Sequence, residues 1–158
     1  QQTDSGFAVI GGSEPSMNLG SWDKQGCPFY AEGVSYTQTY EIDRPHGSYV
    51  VELGSWYGSV AEVRVNGRSA GYIGYRPWRC AVTDWIRPGT NMVEVVVIGT
   101  LKNTLGPHHA GPRLGSAWPG MFHQGPETGP PPGDRYHTVD YGLFEPFTLM
   151  QVKPSTEL

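Results

Sequence analysis

The constraint that most limits what this chain can fold into lies at residues 61–67. Ala61, Val63 and Val65 alternate with Glu62 and Arg64, and Asn66-Gly67 follows immediately. Period-two alternation gives a strand with one buried face and one solvated face. Asn and Gly best tolerate the positive φ that both central residues of a type I′ turn require, so the chain turns back on itself as a hairpin.

The same grammar continues in both directions. Strands are expected near 35–42, 48–53, 60–66, 69–74, 79–82, 92–99 and 143–152, with one helical turn at 83–86 stopped by Pro88-Gly89. The chain holds 22 glycines and 14 prolines, and only 16% of its residues are charged, which suits many short strands joined by tight turns. A length of 158 residues fits one domain with its own core. The expected fold is therefore all-β, an antiparallel β-sandwich or jelly roll, with one long ordered loop before the last strand. The whole of 1–158 is read as a single module with its core over 22–152, and 1–5 and 153–158 as tails or linker.

Several function classes are disfavoured. Eleven Lys and Arg against fifteen Asp and Glu give a net charge of −4, with no basic patch for nucleic acid. No apolar run approaches a membrane span. Cys27 and Cys80 could be bridged in an oxidising compartment or could stand as buried free thiols. With neither a cleavable signal nor an initiator Met at Gln1, the chain reads as a piece of a larger protein.

Residues 61–103, with 26–36 (GCPFYAEGVSY), 99–103 (GTLKN) and 106–109 (GPHH), resemble the galactose-binding-like jelly-roll domains attached to α-L-rhamnosidase-like and β-galactosidase-like glycoside hydrolases. The most specific parts are the VNG hairpin, the PGTN turn before a valine-rich strand, and the GTLKN to GPHH segment. The resemblance implies a noncatalytic carbohydrate-binding module of a secreted, extracellular or periplasmic glycan-degrading enzyme. Its partners would be an oligo- or polysaccharide and a parent catalytic domain. It implies equally a structural accessory domain packed on that parent.

Following antiparallel strands from end to end, with Asn66-Gly67 at the bottom, brings four segments to one upper rim. They carry Trp22, Asp23 and Gln25; Trp56 and Tyr57; Tyr75, Arg76 and Trp78; and the chain from Lys102 onward. Pyranose rings need an aromatic platform for their C–H faces and polar side chains for their hydroxyls. The candidate carbohydrate-binding residues are Trp56, Tyr57, Lys102, Asn103, His108, His109, Arg113 and Trp118. Tyr36, Tyr40, Tyr49, Trp85 and Phe147 are read as core or sheet packing, and Trp78 as a lid on the core. Asn103 and His108 have a competing role, holding the 101–138 loop by bonding its backbone.

No cofactor is required by these residues. Adjacent His108-His109 with His123 and His137 do not match a zinc spacing. The resemblance leaves room for a structural calcium on Asp23, Glu32, Asp134 or Asp140. Catalysis would need carboxylates such as Glu127, Asp134, Asp140 and Glu145 as a glycosidase pair, or His108, His109, Tyr136 and Arg113 in a polysaccharide lyase. No recognisable pairing of such groups is present, so an independent enzyme is not expected.

Overall fold

A computed structural model describes residues 2–3, 6–7, 16–105 and 138–152. Strands β1 (Gln2–Thr3) and β2 (Gly6–Phe7) form a short antiparallel pair. The body is an antiparallel sandwich. One sheet orders β3 (Gly33–Ile42), β9 (Gly89–Ile98), β6 (Val60–Val65) and β7 (Arg68–Ile73). The other orders β11 (Thr148–Val152), β4 (Ser48–Glu52) and β8 (Arg79–Ala81). A two-stranded ribbon, β5 (Trp56–Tyr57) with β10 (Gly142–Leu143), closes one end.

The alternation read from the sequence sets the core. Ala61, Val63 and Val65 of β6 and Val93, Val95 and Val97 of β9 are fully buried and join Tyr49, Val51, Leu53 and Val82 from the facing layer. Each valine or leucine side chain among them contributes about 1.5–3 kcal/mol by leaving water. Strand β9 is the spine: its ten residues all pair with β3, and six of them pair on the other side with β6. Along the β3 flank, Gln38 Nε2 donates to the Phe147 carbonyl at 3.0 Å, linking the first sheet to the approach of β11.

The hairpin forms as expected. Val65 pairs with Arg68, and Asn66 (φ 54°) and Gly67 (φ 77°) both take the left-handed conformation. Beyond it, Arg64 pairs with Ser69 and Val63 with Gly71, so Ala70 is an inserted bulge residue that bends β7. Buried Asn91 joins the lower turns. Its Oδ1 accepts from Asn66 Nδ2 and from the Arg87 N–H, both at 3.0 Å, and its Nδ2 donates to the carbonyls of Arg87 and Gly89.

Two expectations need revision, while the helical turn forms where expected. The strand expected over 143–152 divides into β10 and β11, because Phe144 and Glu145 turn back to bond the Ser55 carbonyl and Pro146 lacks a donor. Strand β9 begins at Gly89 rather than Met92, since β3 is long enough to pair with it down to the turn. The turn at 83–86 is a 3₁₀ turn, Thr83–Trp85. The long loop expected before the last strand falls on 106–137, outside the described residues, and the tails at 153–158 lie outside them as well. Cys27 and Cys80 are both free thiols.

Two measurements follow. Asn91→Ala should lower the unfolding free energy by roughly 2–4 kcal/mol, because it strips partners from buried backbone groups, whereas exposed Thr39→Ala should change it by less than about 0.5 kcal/mol; urea unfolding of both variants decides. Burial pushes the Cys80 thiol up from its ordinary value. A disulfide reagent at pH 8 should therefore modify half-buried Cys27 first and reach Cys80 only on unfolding.

Candidate functional site

The strand registers place the expected rim at one end. Gly33, Ile98 and Val60 share the upper level of the large sheet, and Glu52 and Thr148 that of the small one. Above them three stretches of backbone lie side by side. Gly20 N donates to Leu143 O at 2.8 Å, Trp22 N donates to Tyr141 O at 2.9 Å, and Gly142 pairs with Tyr57. This crowding fixes the residue at 142: a Cβ there would collide with the Gly20 carbonyl, and its φ of 149° also favours glycine.

Tyr57 is the aromatic residue this frame presents to solvent. Its ring lies nearly parallel to that of Tyr141, 19° between planes and 5.8 Å between centroids, and it remains 41% exposed. One face of the ring lies against Tyr141. Tyr141 is itself buried and its hydroxyl bonds Thr100 Oγ1. Burial raises its phenol above the usual tyrosine value. Trp56 is half-buried and packs edge-on against Trp78, with centroids 6.0 Å apart. The Arg76 guanidinium covers the Trp78 ring at 4.2 Å. The Trp56 Nε1–H is buried and has no hydrogen-bond partner among the described residues. Tyr75 projects from the same rim, 83% exposed.

The rim's polar groups divide into holders and presenters. Asn103, on the one-turn helix α1 (Lys102–Leu105), is 2% exposed. Its Nδ2 donates to Val139 O at 2.9 Å and its Oδ1 accepts from Val139 N at 2.7 Å, so its amide holds the two ends of the intervening loop together. Thr104 Oγ1 donates to Phe29 O and anchors the same turn to the N-terminal segment. Lys102 stands beside it, and partial burial lowers its ammonium below the usual lysine value. The remaining candidates, His108, His109, Arg113 and Trp118, lie outside the described residues.

Trp22 corrects the rim as read from the sequence. It is 1% exposed, donates from Nε1 to Tyr36 Oη at 2.8 Å, and belongs to the core. Gln25 is spent on Asn18 and Ser21. Tyr141 was not singled out in the sequence; its role follows from the pairing of β10 with β5, two segments 85 residues apart that carry no local signal of contact.

Among the described residues, the carboxylates considered for calcium do not gather three at one point. The Ser21 hydroxyl bonds both Asp23 and Asp140, Asp23 also accepts from Thr138, and the Lys24 ammonium lies 3.8 Å from Asp140. Calcium takes six to eight oxygens, and among the described residues no three His, Cys, Asp or Glu side chains converge. Asp134 lies outside those residues.

No family model matches the chain. It is 29% identical over 94 residues to the "Putative beta-glucuronidase" of Formosa agariphila, covering 55% of this chain and 8% of that protein. Its fold is similar to part of the rhamnosidase from Novosphingobium sp. PP1Y, with a TM-score of 0.50, 24% identity, and coverage of 77% of this chain and 11% of that one. The beta-D-glucuronidase of Dictyoglomus thermophilum aligns at TM-score 0.38 and 21% identity over 51% of this chain and 14% of that one, which adds nothing to the fold assignment. The chain thus spans a small part of the length of each. The rhamnosidase likeness carries the all-β sandwich alone.

The raised Tyr141 phenol has a consequence for pH. A phenol held protonated in the folded state contributes stability that is fully present below pH 10.0 and lost as pH rises through the folded value. Stability measured by denaturant should fall above pH 10, and Tyr141→Phe should fall less steeply there while losing about 1 kcal/mol at pH 7 with its Thr100 hydrogen bond.

Proposed function

We propose that this domain is a noncatalytic carbohydrate-binding module of a glycan-degrading enzyme, holding a sugar ring against Tyr57 at the rim. The observation that carries the reading is the Tyr57–Tyr141 stack: a half-exposed ring, backed by a second ring and carried on a strand paired with β10. Such a platform meets the C–H face of a pyranose without losing much side-chain freedom on binding. Lys102 would supply a donor for a hydroxyl beside it. Asn103 serves the platform by tying α1 to the Val139 backbone, and His108, His109, Arg113 and Trp118 would add contacts from the 106–137 segment. The names rhamnosidase and beta-glucuronidase denote enzymes that cleave glycosidic bonds, and each is many times longer than the segment it shares with this chain, as an accessory domain beside a catalytic one would require. A galactose-binding-like jelly roll, secreted with its parent enzyme, is the setting in which these features fit together.

A structural accessory role is the second reading. It is favoured by the exposed Tyr75, which a parent domain packed on this end would cover. A lyase or glycosidase site would have to be built from the 101–138 loop, where no paired catalytic groups are recognisable in the sequence.

A glycan array followed by calorimetry tests the reading. A saturable ligand should bind with a dissociation constant on the order of micromolar to millimolar. Tyr57→Ala should weaken it by about three- to tenfold or more, the loss of one stacked ring. Trp56→Ala is the poorer probe, since it also removes packing against Trp78. The absence of any bound glycan would turn the assignment to the structural role, and release of product would replace both.

A further inference from the structure

The opposite end of the sandwich holds a second feature that the rim does not involve. A cleft of about 380 Å³ opens between the β6–β7 turn and the segment following β8, lined by Arg68, Asp84, Trp85 and Arg87 among others. Its walls are fixed by the asparagine network. Asn66 Nδ2 donates to the Trp85 carbonyl at 3.2 Å and to Asn91 Oδ1 at 3.0 Å, and the Arg87 N–H donates to that same Asn91 oxygen. Three separate turns therefore stand in one rigid relation.

The charged groups around this cleft are exposed. None of Arg68, Asp84 and Arg87 forms an ion pair with a described residue. The single hydrogen bond from the Arg87 guanidinium runs from Nε to the Thr90 carbonyl at 3.4 Å, so its terminal nitrogens point at no described acceptor. Two guanidinium groups without carboxylate partners, beside a half-buried indole and one carboxylate, make a distinctive set. Arginine forks match a carboxylate with two parallel hydrogen bonds. Indole offers a face for C–H groups, and the Asp84 carboxylate accepts from hydroxyls.

We propose that this lower cleft is a binding site for an acidic sugar residue, with Arg68 and Arg87 taking its carboxylate, Trp85 facing its ring and Asp84 accepting from a hydroxyl. The site is separate from the upper rim and does not depend on how the rim is used. It selects charge, whereas a tyrosine platform selects ring shape. The formal charge of −4 on the whole chain opposes broad capture of polyanions, so recognition here is local to the two arginines.

The test is a titration of the full chain, followed by the Trp85 indole N–H signal in two-dimensional NMR, assigned with Trp85→Phe. The probes are oligogalacturonate, its methyl-esterified form and sodium acetate at equal concentration. Oligogalacturonate should shift the Trp85 signal saturably; the ester, which keeps the sugar and removes the charge, and acetate, which keeps the charge and removes the sugar, should not. Arg68→Gln and Arg87→Gln should each weaken binding about five- to tenfold, the size expected for one exposed charge-assisted contact. Tyr57→Ala should leave the Trp85 titration unchanged, which separates failure here from failure at the rim. The proposal is overturned if the Trp85 signal does not move, if acetate or the ester moves it equally, or if both arginine variants bind as wild type.

Discussion

The structure depends on strand β9 being paired on both sides. A ten-residue strand whose inward positions are valines and whose partners are β3 and β6 leaves no ladder group unmet across the middle of the sheet. Valine suits this place because its branched Cβ is stiff and packs against the pleat of its neighbours. With β9 fixed, β3 and β6 are fixed in register, and a slip of one residue in either would expose the valines of the core face. Both ends of the sandwich inherit their geometry from this spine. Ile98 sits at the level of the tyrosine stack, and Gly89 at the level of the asparagine network.

The two ends are then stabilised by different means. The lower end uses side-chain amides: Asn66 in the β6–β7 turn and Asn91 near the start of β9, below its last pair with β6 at Val93, bond each other and the backbone of the neighbouring turns. The upper end uses backbone against backbone, with residues 20–22 laid beside 141–143 and these beside β5. That close approach excludes side chains between the segments and turns their aromatic residues outward or down. Trp22 and Tyr141 go down into the core, and Tyr57 goes outward onto Tyr141. The exposed ring is therefore a product of the packing beneath it.

How much of this was legible in the sequence depends on how local the cause is. The Asn66-Gly67 turn and the alternation at 61–65 are determined by neighbouring residues, and the structure reproduces them in place. The upper rim could be located by counting strands end to end, because antiparallel pairing obliges each to cross the sandwich. The division of 143–152 into β10 and β11 was not readable, since it depends on Ser55 accepting from Phe144 and Glu145 across the fold. Trp22 and Trp56 show the same limit among candidate site residues. Both are tryptophans near Gly-rich turns, yet one is buried on Tyr36 and the other half-buried on Trp78, and only tertiary pairing distinguishes them. Asn103 had two roles open in the sequence; its amide bonds the Val139 backbone, 36 residues away, a contact no local pattern announces.

The separation of the two ends bears on what a domain of this shape can do beside a larger partner. A ten-residue strand spans about 33 Å, so groups at Gly89 and Ile98 face different surroundings. A single sugar ring cannot touch both. Two weak contacts on one long chain reinforce each other only when the linking segment matches the span between them. A polysaccharide running along the sandwich satisfies that condition, and a short oligosaccharide does not. Alternatively, one end can be occupied by a parent domain while the other stays free, because among the described residues no hydrogen bond joins the tyrosine stack to the arginine cleft. The rigid β9 spine thus keeps the ends mechanically connected and chemically independent, so substitution at Tyr57 and substitution at Arg68 or Arg87 should add without coupling.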